Sequence, residues 1–184
     1  IASYSLDVDS FDCSNTGANT VTLTVTDNNE NSASSSATVT VSDVTAPTAT
    51  TQDITVELDA FGNASIVPSG VDNGSNDACG IANLSLDTTT FDCSNIGANT
   101  VTLTVTDNND NVSTQTAIVT VEDNIAPNVI INDITIELDA NGSASITADM
   151  IDNGSTDACG IASYSLDVDS FDCSNTGVNT VTRS

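Results

Sequence analysis

Apolar and polar residues alternate with a period of two along much of the chain, most clearly in Val101-Thr102-Leu103-Thr104-Val105 and Ala117-Ile118-Val119-Thr120-Val121. In a strand every second side chain points to the same face, so these runs predict strands with Val, Leu and Ile inward and Thr outward. The same reasoning predicts strands at 54–58, 64–67 and 81–86 and a short one at 91–93. No segment has a helical period. Gly62-Asn63 and the stretch 107–111 lie between such runs, and their Gly, Asn and Asp residues tolerate positive φ or bond their own backbone, which marks hairpins.

The pattern is also periodic on a longer scale. The segment FDCSN begins at Phe11, Phe91 and Phe171, a step of 80 residues. DNGS at Asp72 and Asp152, DACGI at Asp77 and Asp157, NTVT at Asn19, Asn99 and Asn179, and the Ala-Pro pairs ending in Pro47 and Pro127 keep that step. Division at the Asp/Ala/Pro junctions gives the C-terminal part of a repeat (1–43), one complete repeat (44–123) and the N-terminal part of another (124–184). Both ends then fall inside a repeat, as expected of a piece of a longer array. Arg183-Ser184 stands where the complete repeat has Leu103-Thr104, either a cloning scar or a variant of the repeat. Six or seven short strands per repeat predict an all-β protein of tandem immunoglobulin-like β-sandwich repeats of about 80 residues. A β-helix needs shorter coils and a propeller a longer blade motif.

Charge narrows the function. There are 26 acidic residues, one basic residue and no histidine, giving a net charge of −25. Nucleic acids and anionic membrane surfaces are bound through Lys and Arg clusters, so neither is an expected partner. Without lysine or histidine the chain lacks the near-neutral base, the Schiff-base amine and the imidazole ligand, and an enzyme is not expected. Hydrophobic residues still make up 38%, enough to fold, while aromatics at 3% predict thin aliphatic cores.

The five cysteines point to an oxidising compartment outside the cytoplasm. The expected bridges are Cys79 with Cys93 and Cys159 with Cys173, inside one repeat each, with Cys13 left over because its partner falls before the first residue. Zinc sites favour CxxC spacings and His partners, which are absent. Closing a loop of about 15 residues contributes roughly 3 kcal/mol in the chain-entropy model.

Acidic residues gather in three places per repeat: Asp72-Asn73 with Asp77, the stretch 107–111, and the junction Glu122-Asp123-Asn124. In a sandwich of this type these loops are expected to meet at one pole, bringing Asp43 toward Asp72, Asp77 and Asp107, and Asp123 and Asn124 toward Asp152 and Asp157. Oxygen ligands on flexible loops suit Ca²⁺, which takes six to eight of them. The other reading is that Asp and Asn only form turns, their charge keeping the chain soluble.

Two junction and strand motifs carry a resemblance. Glu122-Asp123-Asn124 followed by Ile-Ala-Pro resembles the junction of cadherin repeats, without their interior acidic motifs. The run NTVTLTVTDNNDN from Asn99 to Asn111 is similar to HYR modules. The whole unit, with LDANG, DNGS, DACGI and FDCSN, resembles the tandem repeats of giant Bacteroidetes cell-surface adhesins, those of flavobacterial gliding motility above all. That resemblance implies an extracellular, cell-surface location, export by type IX secretion, and a filament that mediates attachment and gliding.

The expected role is thus a structural stalk segment, disulfide-crosslinked and stiffened by Ca²⁺. Its partners would be neighbouring repeats and, through parts outside this chain, a surface or glycan target. The alternative is a spacer array in a large secreted enzyme or biofilm matrix protein. The half repeats 1–43 and 124–184 together hold every strand of one repeat, so head-to-tail self-association is also expected.

Smaller signals have plainer readings. Alternating threonines at 22–26 and 102–106 fit a solvated strand face better than an ice-binding one. The sequons at Asn63, Asn73, Asn83 and Asn111 read as coincidence in a chain rich in Asn turns. Asp87-Thr88-Thr89 resembles the Bacteroidetes O-glycosylation pattern and makes Thr88 a candidate. Glu57 and Asp59 share a strand face but have no cleft or aromatic platform to make a glycosidase. Isopeptide crosslinks need lysine, which is absent.

Overall fold

A computed structural model describes residues 1–183, and strands and turns dominate them: the fold is all-β. β1 (Ser3–Leu6), β2 (Gly17–Thr26) and β3 (Ser32–Val41) form an antiparallel sheet in that order, with Tyr4 opposite Val25 and Val21 opposite Ala37. The complete repeat supplies β4 (Ile54–Glu57), β5 (Asn63–Ser65), β6 (Ile81–Leu86), β7 (Thr90–Asp92), β8 (Gly97–Asp107) and β9 (Val112–Glu122). Four of these make a sheet in the order β4-β9-β8-β6, and β5 pairs with β7. In the last repeat β10 (Ser143–Ser145) pairs with β11 (Ser170–Asp172).

The period-two runs form strands as the alternation predicts. On β8 the side chains of Val101, Leu103 and Val105 are fully buried while Thr102 and Thr104 are half-buried, and on β9 Ala117, Val119 and Val121 point inward. Leu84 and Leu86 of β6 lie opposite Val105 and Leu103. β4 joins the other edge of β9. The bonds Thr51 Oγ1 to Thr116 O, Ile118 N to Asp53 Oδ1, and Leu58 N to Glu122 O advance in the same sense along both segments, so β4 runs parallel to β9.

Two local elements depart from the expected strands. The strand expected at 64–67 is shorter, and Pro68 opens the one-turn helix α1 (Pro68–Val71). Proline presets the helical φ at the first position and holds the residue before it extended, as Val67 is at φ −120°, ψ 153°. Its counterpart is α2 (Ala148–Ile151). Four residues are too few to display a period. Second, residues 134–137 (ITIE) nearly repeat β4 (ITVE) but form no strand. β4 owes its state to the neighbouring β9, and 134–137 has no such neighbour among the described residues.

The chain forms two compact units, each drawn from three segments: 1–54, 67–89 and 100–118 in one, 55–66, 90–99 and 119–184 in the other. These boundaries cut through the 44–123 repeat instead of following its junctions. The disulfides explain the regrouping, since each joins one repeat to the next and lies wholly within one unit.

Candidate functional site

The most distinctive chemistry lies at the two joints between repeats. Cys13 is bonded to Cys79 and Cys93 to Cys159, each pair 66 residues apart with Cα atoms 5.2 Å from each other. The bridges expected at Cys79–Cys93 and Cys159–Cys173 do not form. Cys13 is paired, and Cys173 is an exposed free thiol. The reason is the run of β6, whose six residues carry the chain about 20 Å away from Cys79 before β7 enters a different sheet. A loop of 66 residues removes more denatured-state entropy than the expected short one, about 4 kcal/mol per bridge in the same chain-entropy model.

The FDCSN motif is a device for presenting a cysteine. In each copy Cys-Ser-Asn forms a single 3₁₀ turn at 13–15, 93–95 and 173–175. Asp92 Oδ1 accepts hydrogen bonds from Ser94 N at 2.8 Å and from Ser94 Oγ at 2.5 Å, while Asn95 Oδ1 accepts one from Asp92 N at 2.9 Å. This reciprocal cap fixes Cys93 between its two arms. The Asn99 side chain then donates to the carbonyls of Asn95 and Gly97 at 2.7 and 3.0 Å, tying the turn to β8. The Ser94 hydroxyl and then its amide hold the Asp92 carboxyl below its ordinary range, against the desolvation that raises it. Asp12 and Asp172 behave alike. Sequence reasoning passed over these caps although D-x-x-N around the cysteine carries their signature.

The partner motif works similarly. In DACGI, Asp77 Oδ1 accepts from Cys79 N at 2.7 Å and Asp157 Oδ1 from Cys159 N at 2.8 Å. Gly62 gives room for the second bridge, because a Cβ there, at φ 75°, would sit 2.7 Å from the Cys93 sulfur.

A carboxylate pair stands beside each bridge. Ligand atoms of Asp43, Asp77 and Cys79 lie within 4.8 Å of one another, as do those of Asp123, Asp157 and Cys159. Each sulfur belongs to a disulfide and is no thiolate, so the carboxylates are what a cation would meet. Asp43 Oδ1 accepts from Thr45 N at 3.0 Å, while its Oδ2 is buried with no hydrogen-bond partner. Asp123 Oδ1 accepts from Ile125 N at 3.1 Å.

The other residues expected at these sites are not in these close groups and bond to other partners. Asp72 turns into its own loop, accepting from Gly74 N and Ser75 N at 3.3 and 3.1 Å. Asp152 does the same with Gly154 and Ser155 and also pairs with Arg183. Asn124 donates to Glu57 and Glu122 at 3.3 and 3.4 Å. Asp107 is fully buried, with Oδ1 accepting from the amides of Asn109 and Asn111 and Oδ2 from the Asn111 side chain, all at 2.8 Å. Desolvation raises its pKa, but the Asn111 side chain and the two amides outweigh that and lower it. The hairpin does reach the joint: Asn111 Nδ2 also donates to Asp43 O at 3.3 Å. Thr88 is exposed in the loop between β6 and β7.

Sequence reading gave Arg183 no role. Its guanidinium is buried against Asp152 and Ser155, 3.7 Å from the centroid of the Tyr164 ring, at the place Leu103 takes in the complete repeat. No helix among the described residues is long and apolar enough to cross a membrane. Neither a protein-family model nor a curated protein matches the chain.

Proposed function

We propose that this chain is a load-bearing stretch of a tandem-repeat stalk in an extracellular adhesin filament that mediates surface attachment and gliding. The observation that carries this reading is the pairing of the cysteines. Each bridge joins a repeat to its successor, so the array is laced covalently along its length as well as through its backbone. A spacer need only separate what it connects, whereas lacing of this kind matters when the array is pulled. Disulfides persist in oxidising surroundings, which supports a place outside the cytoplasm. The charge of −25, almost without compensation, keeps neighbouring filaments apart in solution.

Calcium has a place in this reading at the carboxylate pairs Asp43 with Asp77 and Asp123 with Asp157. Two like charges so close favour a cation between them, and the unpartnered buried Oδ2 of Asp43 is the atom that would gain most. Two carboxylates and water make a weak, hydrated Ca²⁺ site of the extracellular type.

Antibodies raised against the chain and applied to intact cells of the source organism test the location. Surface threads should be labelled, and their shearing should stop attachment and gliding; labelling seen only after permeabilisation refutes the reading. For calcium, the melting temperature should rise on titration with the ion, and Asp43→Asn with Asp123→Asn should abolish the rise. Identical melting in Ca²⁺ and in EGTA leaves the acids as solvated turns.

A further inference from the structure

The turn between β4 and β5 holds out an aromatic ring that the core does not use: Phe61 is 84% exposed. Its place is nonetheless fixed, because Asp59 Oδ1 accepts hydrogen bonds from Phe61 N at 2.9 Å and from Asn63 N at 3.0 Å. Gly62 brings this turn onto the Cys93–Cys159 bridge, since a Cβ there would stand 3.4 Å from that of Ala158 and 3.6 Å from the Cys159 sulfur. In the last repeat Asp139 closes the same turn through Asn141 N and Ser143 N at 2.8 and 2.9 Å, with Asn141 where Phe61 stands. The turn therefore forms without the ring, and burial gives no reason for a phenylalanine at this place.

The ring walls a notch of about 490 Å³ at the second joint, lined on its apolar side by Ile125, Ala126 and Ala158 and on its polar side by Asp157 and Asn128. A complete neighbouring repeat leaves this surface open. At the first joint the hairpin 107–111 is in place, with Asn108 Nδ2 donating to Cys79 O at 2.7 Å, and Thr45, Ala46 and Ala78, the counterparts of Ile125, Ala126 and Ala158, are exposed there too. Carboxylate oxygens of Asp157 and Asp123 lie within 4.8 Å of each other. The chain's single basic side chain, Arg183, is paired with Asp152, so a cationic side chain at Asp157 has to come from another molecule.

We infer that this notch is the docking site for an arginine side chain of a partner protein, its guanidinium stacked on the Phe61 ring and paired with Asp157, its aliphatic stem against Ile125 and Ala126. Charge complementarity decides the class of occupant. Two carboxylates so close repel an anion and stabilise a cation, and an aromatic face attracts a cation through its quadrupole. Arginine suits both surfaces, because its planar fork matches a carboxylate and lies flat on a ring, whereas the lysine ammonium is compact and strongly hydrated. The chain makes the same contact within itself: the Arg183 guanidinium bonds to Asp152 and lies 3.7 Å from the centroid of the Tyr164 ring. The docking shares Asp157 with the calcium reading without resting on it, and ion and guanidinium exclude each other at those oxygens.

Magnetic resonance of the full, oxidised, isotope-labelled chain in EGTA tests this. The probe is the blocked peptide acetyl-Gly-Gly-Arg-Gly-Gly-amide, compared with the same peptide carrying lysine or neutral citrulline in place of arginine. A single charge per peptide, together with raised salt, keeps general attraction to a surface of charge −25 small. Saturable shifts are expected at the amides of Phe61, Ile125 and Ala126, strongest with arginine and absent with citrulline. Phe61→Asn, the exchange that the last repeat already tolerates in this turn, should leave the melting temperature unchanged and weaken arginine binding about fivefold. Asp157→Asn should abolish the binding. Since every titration is made in EGTA, failure of the calcium reading would leave these results as they stand. Shifts spread evenly over the acidic loops, equal shifts with citrulline, arginine binding that Phe61→Asn leaves unchanged, or no shifts at all would each overturn the inference.

Discussion

A chain held at its two ends does not carry load through every residue. With the bridges intact the pulled path runs from residue 1 to Cys13, across to Cys79, along to Cys93, across to Cys159 and on to the end. The loops between bonded cysteines are bypassed. The loaded path is about 50 residue steps, at most ~190 Å when fully extended, against ~660 Å for the whole chain at about 3.6 Å per residue. Reduction of one bridge in the unfolded, stretched chain should therefore release about 230 Å, the extended length of 66 residues less the 5.2 Å the bridge already spans. Magnetic tweezers can hold the oxidised chain above its unfolding force while reductant is added, and two steps of that size are expected. Bridges between Cys79 and Cys93 and between Cys159 and Cys173 would instead release only about 50 Å each. Short steps, or none, would refute the connectivity and the load-bearing argument with it.

Other consequences follow from single residues. Asp107→Ala strips the hairpin of three hydrogen bonds at a fully buried position and should cost about 3 kcal/mol in denaturant melts; Asp27→Ala, which removes the equivalent bonds at a more open site, should cost clearly less. The capping and turn carboxyls of Asp12, Asp27, Asp92, Asp107 and Asp172 all lie below the ordinary value of 3.8. Their contribution is complete above that value and lost as pH falls through the folded pKa, so at high salt the melting temperature should be flat above about pH 5 and drop below about pH 4; a curve that stays level into stronger acid contradicts this. Arg183→Leu restores the side chain of the complete repeat and removes two buried, unpartnered guanidinium nitrogens, so thermal melts should show stabilisation by about 1 kcal/mol.

The strands were legible because burial on one face leaves a period-two trace, and β8 and β9 follow it residue by residue. Residues 134–137 show where the trace stops: the segment has the apolar spacing of β4, but a strand also needs a partner, and that is not written in its own sequence. The cysteines show a second limit. Spacing along the chain favoured the near neighbour, while the positions of Cys79 and Cys93 depend on how far β6 carries the chain. Of the acids, Asp43, Asp77, Asp123 and Asp157 come together at the joints as the loop argument expects. Asp72, Asp107 and Asp152 do not, because a short Asp side chain in a turn finds backbone amides closer than any other loop.

The bridges join the first cysteine to the second and the third to the fourth, in order of their appearance along the chain. A polypeptide that emerges N-terminus first therefore sorts its own thiols. When Cys79 arrives, Cys13 is already waiting, and Cys93 follows only 14 residues later, roughly one to three seconds behind at ordinary synthesis rates. Where an oxidant closes that first bridge within the interval, Cys93 meets no free earlier thiol and pairs with Cys159. The same chain released all at once from the reduced, unfolded state loses that timetable. Loop-closure statistics then favour contact across 14 residues over contact across 66 by about tenfold, so Cys79 meets Cys93 first. Vectorial emergence thus stores the connectivity that refolding in a test tube has to recover by thiol exchange.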